Sequence, residues 1–364
     1  MTNTQQLILA IDQGTGSTKG LLVTKNLEVF AQHQVAIDIE SPQSGWVQQD
    51  ANQIWQSVAA NIDALVAAAN GNEIVGLAIT NQRESAVAWN KITGEPIGAM
   101  LGWQDRRTSP RLDDFSEAQK ARIQAITGLP LDPMFSALKF EWLLDKYDAD
   151  RTRSRAGEIA LGTVDSWLLY KLTGEYRVEL GNASRTQLCN IETVEWDQEL
   201  LKLFNVPEHA LPKIVANYGQ LATSDPDSFL GISAPITGMA GDQQAALFGQ
   251  AAFTVGDSKC TYGTGAFFLT NTGTARVDSK NGLISTIAWK SPSGELTYAL
   301  EGSVFVAGSA VQWLRDGLKI IHEAKDVEEL AGRVRDSAGV VFVPALTGLG
   351  APWWNPQVRG TVFG

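Results

Sequence analysis

Two short apolar runs, Leu7 to Ile11 and Gly20 to Thr24, flank a segment rich in glycine and hydroxyl side chains, a pattern that predicts strand, tight turn, strand. Ile54, Trp55, Val58, Ile62, Leu65 and Val66 then recur at helical spacing behind Asp50. That spacing predicts a helix capped by Asp50, with Gln53 completing a capping box and Gly71 and Asn72 ending it. Ile74 to Thr80 is an unbroken run of strand length, and it delivers Asn81, Gln82, Arg83, Glu84 and Ser85 at its carboxyl end. Sites of α/β proteins are usually built at such ends. Ala86 to Asn90 and Met100 to Trp103 read as further strands around the turn sequence KITGEP. Helices are expected at Val164 to Leu172, with Thr163 at its start and Gly174 at its end, and at Val311 to Ile321. Val340 to Val343 reads as a strand before Pro344. Strands and helices alternate, so the fold class is α/β.

The turn between the first two strands lies in AIDQGTGSTKGLL, Ala10 to Leu22. It matches neither the dinucleotide fingerprint, which needs a third glycine, nor the P-loop, which needs Gly-Lys-Ser/Thr. What remains is a hairpin whose amides at Gly14 and Gly16 and hydroxyls at Thr15, Ser17 and Thr18 can donate to phosphate, with Lys19 adding a point charge. Asp12 at the strand end is placed to hold a magnesium ion, directly or through water. The same Gly-Thr-Gly triplet recurs as Gly263, Thr264, Gly265, again before an apolar run, Phe267 to Leu269. Two copies of one strand-turn-strand unit would place a glycine turn on each side of a cleft. In GMAGDQQAALFGQ, Asp242 precedes a run that could begin a helix. It is either a helix cap or a general base for a substrate hydroxyl, and spacing does not decide between them.

Composition narrows the partners. The 364 residues are 44% apolar, enough for a sizeable core and for two domains. A formal charge of −11 argues against nucleic acid and anionic membrane, so an anionic ligand must be held locally by amides or a metal. Cys189 and Cys260 form neither a disulfide framework nor a metal-binding pattern, which suits a reducing, cytoplasmic compartment. No signal peptide or membrane-spanning stretch is apparent.

An ordered set of segments resembles the FGGY family of carbohydrate kinases, most closely its glycerol-phosphorylating members. The segments are AIDQGTGSTKG, GWVQQD, ITNQRES, GWQDRRT, DPMFSALKFEWLLD, GTVDSWLLYKLTG, NASRTQL, GMAGDQQAALFGQ, TYGTGAF, YALEGSVFVAGSAVQWLRD and VPALTGLGAPWWNP. They run in family order from Ala10 to Pro356. The resemblance implies two actin-like, ribonuclease-H-like domains around a nucleotide cleft. Residues 1–250 would form the first, with the substrate site and base, and 251–364 the second. It implies Asp242 as catalytic base with Gln243 beside it, Arg83 and Glu84 holding substrate hydroxyls, and Trp103 and Phe267 walling the carbon skeleton. Taken without these motifs, the same four residues would read as a surface ion pair and core packing. Thr15 and Thr264 would face the phosphates of ATP, helped by Gly14, Gly16, Gly263 and Gly265. Asp12 would anchor Mg2+, and Gly308 and Gln312 would lie near the nucleotide. Asp165 would be structural.

The sequence departs from that pattern in places. Lys19 stands where arginine is usual, keeping charge but losing the bidentate fork. Met134 stands where a tyrosine usually donates to glycerol, a bond worth about 0.5–1.5 kcal/mol, so erythritol, xylulose and ribulose are alternative substrates. The family continues past RGTVFG, which implies an incomplete second domain and weak nucleotide binding. A small polyol or sugar and ATP are the expected partners, in a homo-oligomer, dimer or tetramer. An actin-like ATPase is the alternative outside the kinases, and it would not need the set Arg83, Glu84, Trp103 and Phe267.

Overall fold

The computed structural model describes residues 4–227, 231–291 and 293–364. Strand β1 (Gln6–Gln13) turns through the first glycine triplet into β2 (Ser17–Thr24), which pairs onward with β3 (Val29–Ala36). Leu7, Leu9 and Ile11 of β1 are buried while their neighbours are not, the period of a strand with one face on the core. Helix α1 (Ala51–Ala69) lays Ile54, Val58, Ile62 and Leu65 on that face. Asp50 caps it by accepting the Asn52 amide at 2.8 Å. The expected capping box does not form, because Asp38 offers Gln53 both a backbone donor and a carboxylate acceptor and draws it away.

Strand β4 (Glu73–Asn81) runs parallel to β1. The chain then builds helices α2 (Ser136–Tyr147), α3 (Val164–Thr173) and α4 (Leu180–Ser184). Trp167, Leu168 and Leu172 of α3 join the core beneath α1, and Gly174 ends the helix in the left-handed conformation. Thr163 starts α3 without capping it, since its hydroxyl goes to the fully buried Asp165 instead. Strands β5 (Tyr218–Thr223) and β6 (Pro235–Gly241) complete a sheet of order β5-β6-β4-β1-β2-β3. Because β6, β4 and β1 are parallel with Gly241 opposite Asn81 and Asn81 opposite Gln13, three carboxyl ends lie side by side.

Helix α5 (Asp242–Gly249) leads to a second sheet of β7 (Ser258–Tyr262), β8 (Ala266–Gly273), β9 (Ile284–Lys290) and β10 (Leu296–Val304), in the order β7-β8-β10-β9 and antiparallel throughout. The second glycine triplet joins β7 to β8 as the first joins β1 to β2. Trp103, Met134 and Phe135 pack with Ile284, Phe305 and Val306 in one apolar cluster that ties the two parts together.

Two elements differ from the sequence reading. The helix expected to Ile321 is α-helical only over Gly308–Gln312, widens over Trp313–Gly317, and stops where Lys319 takes φ 56°. The strand expected to Trp103 pairs only at Met100–Leu101, because the Trp103 N–H leaves the sheet to donate to Ser85 Oγ at 3.1 Å.

Candidate active site

The three aligned strand ends open onto a cleft of about 210 Å³ lined by Thr15, Gly16, Gln82, Arg83, Glu84 and Trp103, by Asp242 and Gln243, and by Thr261, Gly263–Gly265 and Phe267 from the second part. Trp103 and Phe267 meet edge to face with centroids 5.7 Å apart, an apolar wall of fixed shape. The Trp103 indole donates to Thr15 Oγ1 at 3.0 Å, so the first glycine hairpin also positions the wall.

Charge lies at the base of the cleft. Arg83 and Glu84 are not a surface pair but are 3% and 4% exposed. Arg83 donates both Nη atoms to Glu301 at 2.7 and 2.8 Å, the bidentate geometry that fixes a guanidinium. Its Nε edge then lies 3.4 Å from Asp242 Oδ1 and 3.8 Å from Glu84 Oε1. Arg185 completes the group, donating to Glu84 Oε1 at 2.6 Å and to Glu301 Oε1 at 3.1 Å. Burial pushes the Glu301 carboxyl up, but Arg185 and Arg83 outweigh it and hold it at about 2. Glu84 has φ 61°, a strained conformation for a non-glycine residue. Ser136 Oγ and Lys139 Nζ hold it by donating to its carbonyl at 3.0 and 3.1 Å.

Asp242 is the first residue of α5, not its cap; Gly241 precedes it and no side chain caps the helix. Its Oδ1 accepts the Gln243 amide at 2.8 Å and its Oδ2 accepts Gln243 Nε2 at 3.0 Å. Desolvation lifts its carboxyl to about 6, with Arg83 pulling it back and Glu84 pushing it up. With its side chain 35% exposed, a carboxylate tuned near neutrality faces the cleft and can accept a proton. Gly241 is required here, since a Cβ would lie 2.6 Å from Cδ of Arg83.

The remaining sequence-named residues lie around this centre. Asp12 and Lys19 face each other across β1 and β2 near the end of the hairpin, both exposed and neither lining the cleft, and desolvation lifts the Asp12 carboxyl while Lys19 lowers it. The amides of Gly14 and Gly263 do not point to a ligand: each closes its own turn, on Ser17 O and Gly265 O, both at 2.9 Å. Ser17 Oγ accepts from Gln34 Nε2 at 2.9 Å. Gly308 abuts the second turn, its N–H on Gly263 O at 2.9 Å, and Gln312 is exposed beyond it. Met134, 1% exposed, packs within the Trp103 cluster and does not line the cleft.

Sequence reasoning missed Arg185, Glu301, Lys139 and Lys259. Glu301 stands as a lone charge within the strand-like run YALEGSVF, which is a sequence signal for a buried, paired group, whereas Arg185 in the polar segment NASRTQL carries no such signal.

Residues 7–249 match the model of the N-terminal domain of the FGGY family of carbohydrate kinases, and residues 258–364 match that of its C-terminal domain. A glycerol kinase of Geobacter sp. (strain M21) is 46% identical over 367 residues, spanning 99% of this chain and 73% of that one. One from Thermus thermophilus is 47% identical over 364 residues, with the same coverage of 99% and 73%. The crystal structure of Plasmodium falciparum glycerol kinase with ADP superposes with a TM-score of 0.89 at 34% identity, covering 99% of this chain and 73% of that one.

Proposed function

We propose, from the fact that this chain belongs to the FGGY family of carbohydrate kinases, that it transfers the γ-phosphoryl group of ATP to a terminal hydroxyl of glycerol, giving glycerol 3-phosphate. One observation carries the reading of the chemistry. Asp242, lifted to about 6, faces a small cleft with Arg83 Nε 3.4 Å away and two aromatic rings opposite.

Glu301 occupies both Nη atoms of Arg83, so the Nε edge is what Arg83 offers a ligand, and Glu84 keeps Oε2 beyond its bond to Arg185. A donor beside an acceptor suits neighbouring hydroxyls, and Trp103 with Phe267 suits the carbon chain between them. Asp242 takes the proton of the attacking hydroxyl as the new P–O bond forms, while the bond from the γ-phosphorus to the bridging oxygen breaks and ADP leaves. Thr15, Gly16, Thr264 and Gly265 border the cleft, the first two from the first glycine hairpin and the last two from the second, and in this reading the two hydroxyls and the amides of the two glycines meet phosphate oxygens.

Magnesium fits this donor set. Among the described residues no three potential ligands cluster, but a hard cation that keeps waters and phosphate oxygens needs only one or two carboxylates, and Asp12 is exposed at the strand end. When bound with the nucleotide, Mg2+ would neutralise charge developing on the phosphates. Cys189 and Cys260 are both free thiols, consistent with work in a reducing cytoplasm.

A coupled ADP-release assay over glycerol, erythritol, xylulose and ribulose tests this. The expected result is the highest kcat/KM on glycerol. A ketose preferred over glycerol overturns the substrate, and no turnover on any of the four overturns the kinase activity.

A further inference from the structure

Lys259 projects from β7 in the second part of the chain and is 6% exposed. A buried ammonium must find acceptors for its three protons, and this one has three: Gln243 Oε1, Thr261 Oγ1 at 2.8 Å and the Phe267 carbonyl at 3.2 Å. Because an ammonium only donates, the Gln243 amide has to present its oxygen to Lys259. Its Nε2 therefore turns to Asp242 Oδ2. With the amide reversed, an oxygen would face the carboxylate and the contact would become repulsive.

We infer that Lys259 is a positioning residue for the transfer reaction: from across the cleft it fixes the Gln243 amide, and through it the orientation of the Asp242 carboxylate, while holding the Phe267 wall. The inference rests on the kinase reading for its catalytic consequence, but not for its geometry. The charged and titratable groups facing Lys259 are Arg83 from the loop after β4, Glu301 from β10, Asp242 from α5 and Cys260 on its own strand. Desolvation lowers the Lys259 ammonium to about 8, Arg83 acts in the same direction, and the two carboxylates oppose it.

The experiment compares Lys259→Met, Lys259→Arg, Gln243→Met and the double variant Lys259→Met/Gln243→Met. The first readout is independent of turnover: the midpoint of the Asp242 carboxyl followed by 13C NMR, with Asp242→Asn as the assignment control. Loss of a nearby positive charge and of the Gln243 bond should raise that midpoint in Lys259→Met by about half a pH unit or more. Lys259→Arg, which keeps the charge, should move it less. The second readout is steady-state turnover of glycerol with magnesium-ATP. Lys259→Met should lose roughly tenfold to a hundredfold in kcat, the factor expected for a lost charge-assisted hydrogen bond, with the KM for ATP little changed. Lys259→Arg should recover part of it, and the double variant should be no worse than Gln243→Met alone. An unmoved Asp242 midpoint in Lys259→Met, or losses that multiply in the double variant, overturns the inference. Should the wild-type chain turn over none of the substrates, the kinase reading fails and the titration alone decides the role of Lys259. Should Lys259→Met not fold, the same titration on Gln243→Met and Lys259→Arg decides it, an unmoved midpoint in both being the overturning result.

Discussion

Glu301→Gln removes the charge that holds Arg83 while leaving the side chain's shape. Glu301 is fully buried on β10 and accepts from both Nη atoms of Arg83, from Arg185 and from Ser303 Oγ at 2.9 Å. With Glu84 it sets two negative charges against two positive ones in a region closed to water. Glutamine leaves one positive charge uncompensated and turns an amide N–H toward a guanidinium. Removing one partner of a buried pair costs about 3–5 kcal/mol; the remaining amide oxygen still accepts one bond, so the expected loss is near the lower end, about 3 kcal/mol, by urea unfolding at pH 7. The carboxyl sits at about 2 in the folded protein against 4.5 ordinarily, so its contribution is present above pH 4.5 and is lost as pH falls toward 2. The gap between wild type and variant should therefore narrow in acid. Arg83 also loses its clamp, so the KM for glycerol should rise roughly tenfold, as for one lost charge-assisted hydrogen bond. Freed of Glu301, Arg83 pulls harder on Asp242, and the acid limb of kcat/KM should move below pH 6. A loss under about 1 kcal/mol, the range of an exposed pair, or an acid limb that moves upward, would refute the reasoning.

Asp242→Asn should lower kcat by about 10²–10⁴, the contribution of a general base, while still binding glycerol in a calorimetric titration; an unchanged rate sinks the assignment. The same variant should melt higher than wild type at pH 8. A carboxyl raised from 3.8 to about 6 by desolvation costs stability when ionised, so the gain should disappear as pH falls through that window. Gly241→Ala places a Cβ 2.6 Å from Cδ and 2.7 Å from Cγ of Arg83, an overpacking worth about 1–3 kcal/mol. It should raise the KM for glycerol more than that for ATP, and wild-type values for both would show that the site gives way at no cost.

Periodicity and turn chemistry were enough to determine the local frame. The β1 hairpin, α1 behind Asp50, strand β4 with its polar end and Gly174 at the end of α3 all follow from side-chain spacing and backbone freedom, which act within one element. The glycine echo was legible for the same reason, as two hairpins closed by their own amides. Asp242 was ambiguous in the sequence because a cap and a base look alike one residue from a helix; its placement at the first helical position, bonded to Gln243 and facing Arg83, is a fact of tertiary packing. The family motifs marked Arg83 and Glu84 as substrate-binding residues, but not their buried partners: Glu301, 218 residues away from Arg83, and Arg185, 101 residues from Glu84, are brought against them only by the fold. Met134, which the family pattern put against the substrate, is packed with Phe135 in the apolar cluster around Trp103 instead. Spacing along a chain records which face of an element is buried, whereas the partner of a buried charge is chosen by which elements meet, and only the closed fold decides that.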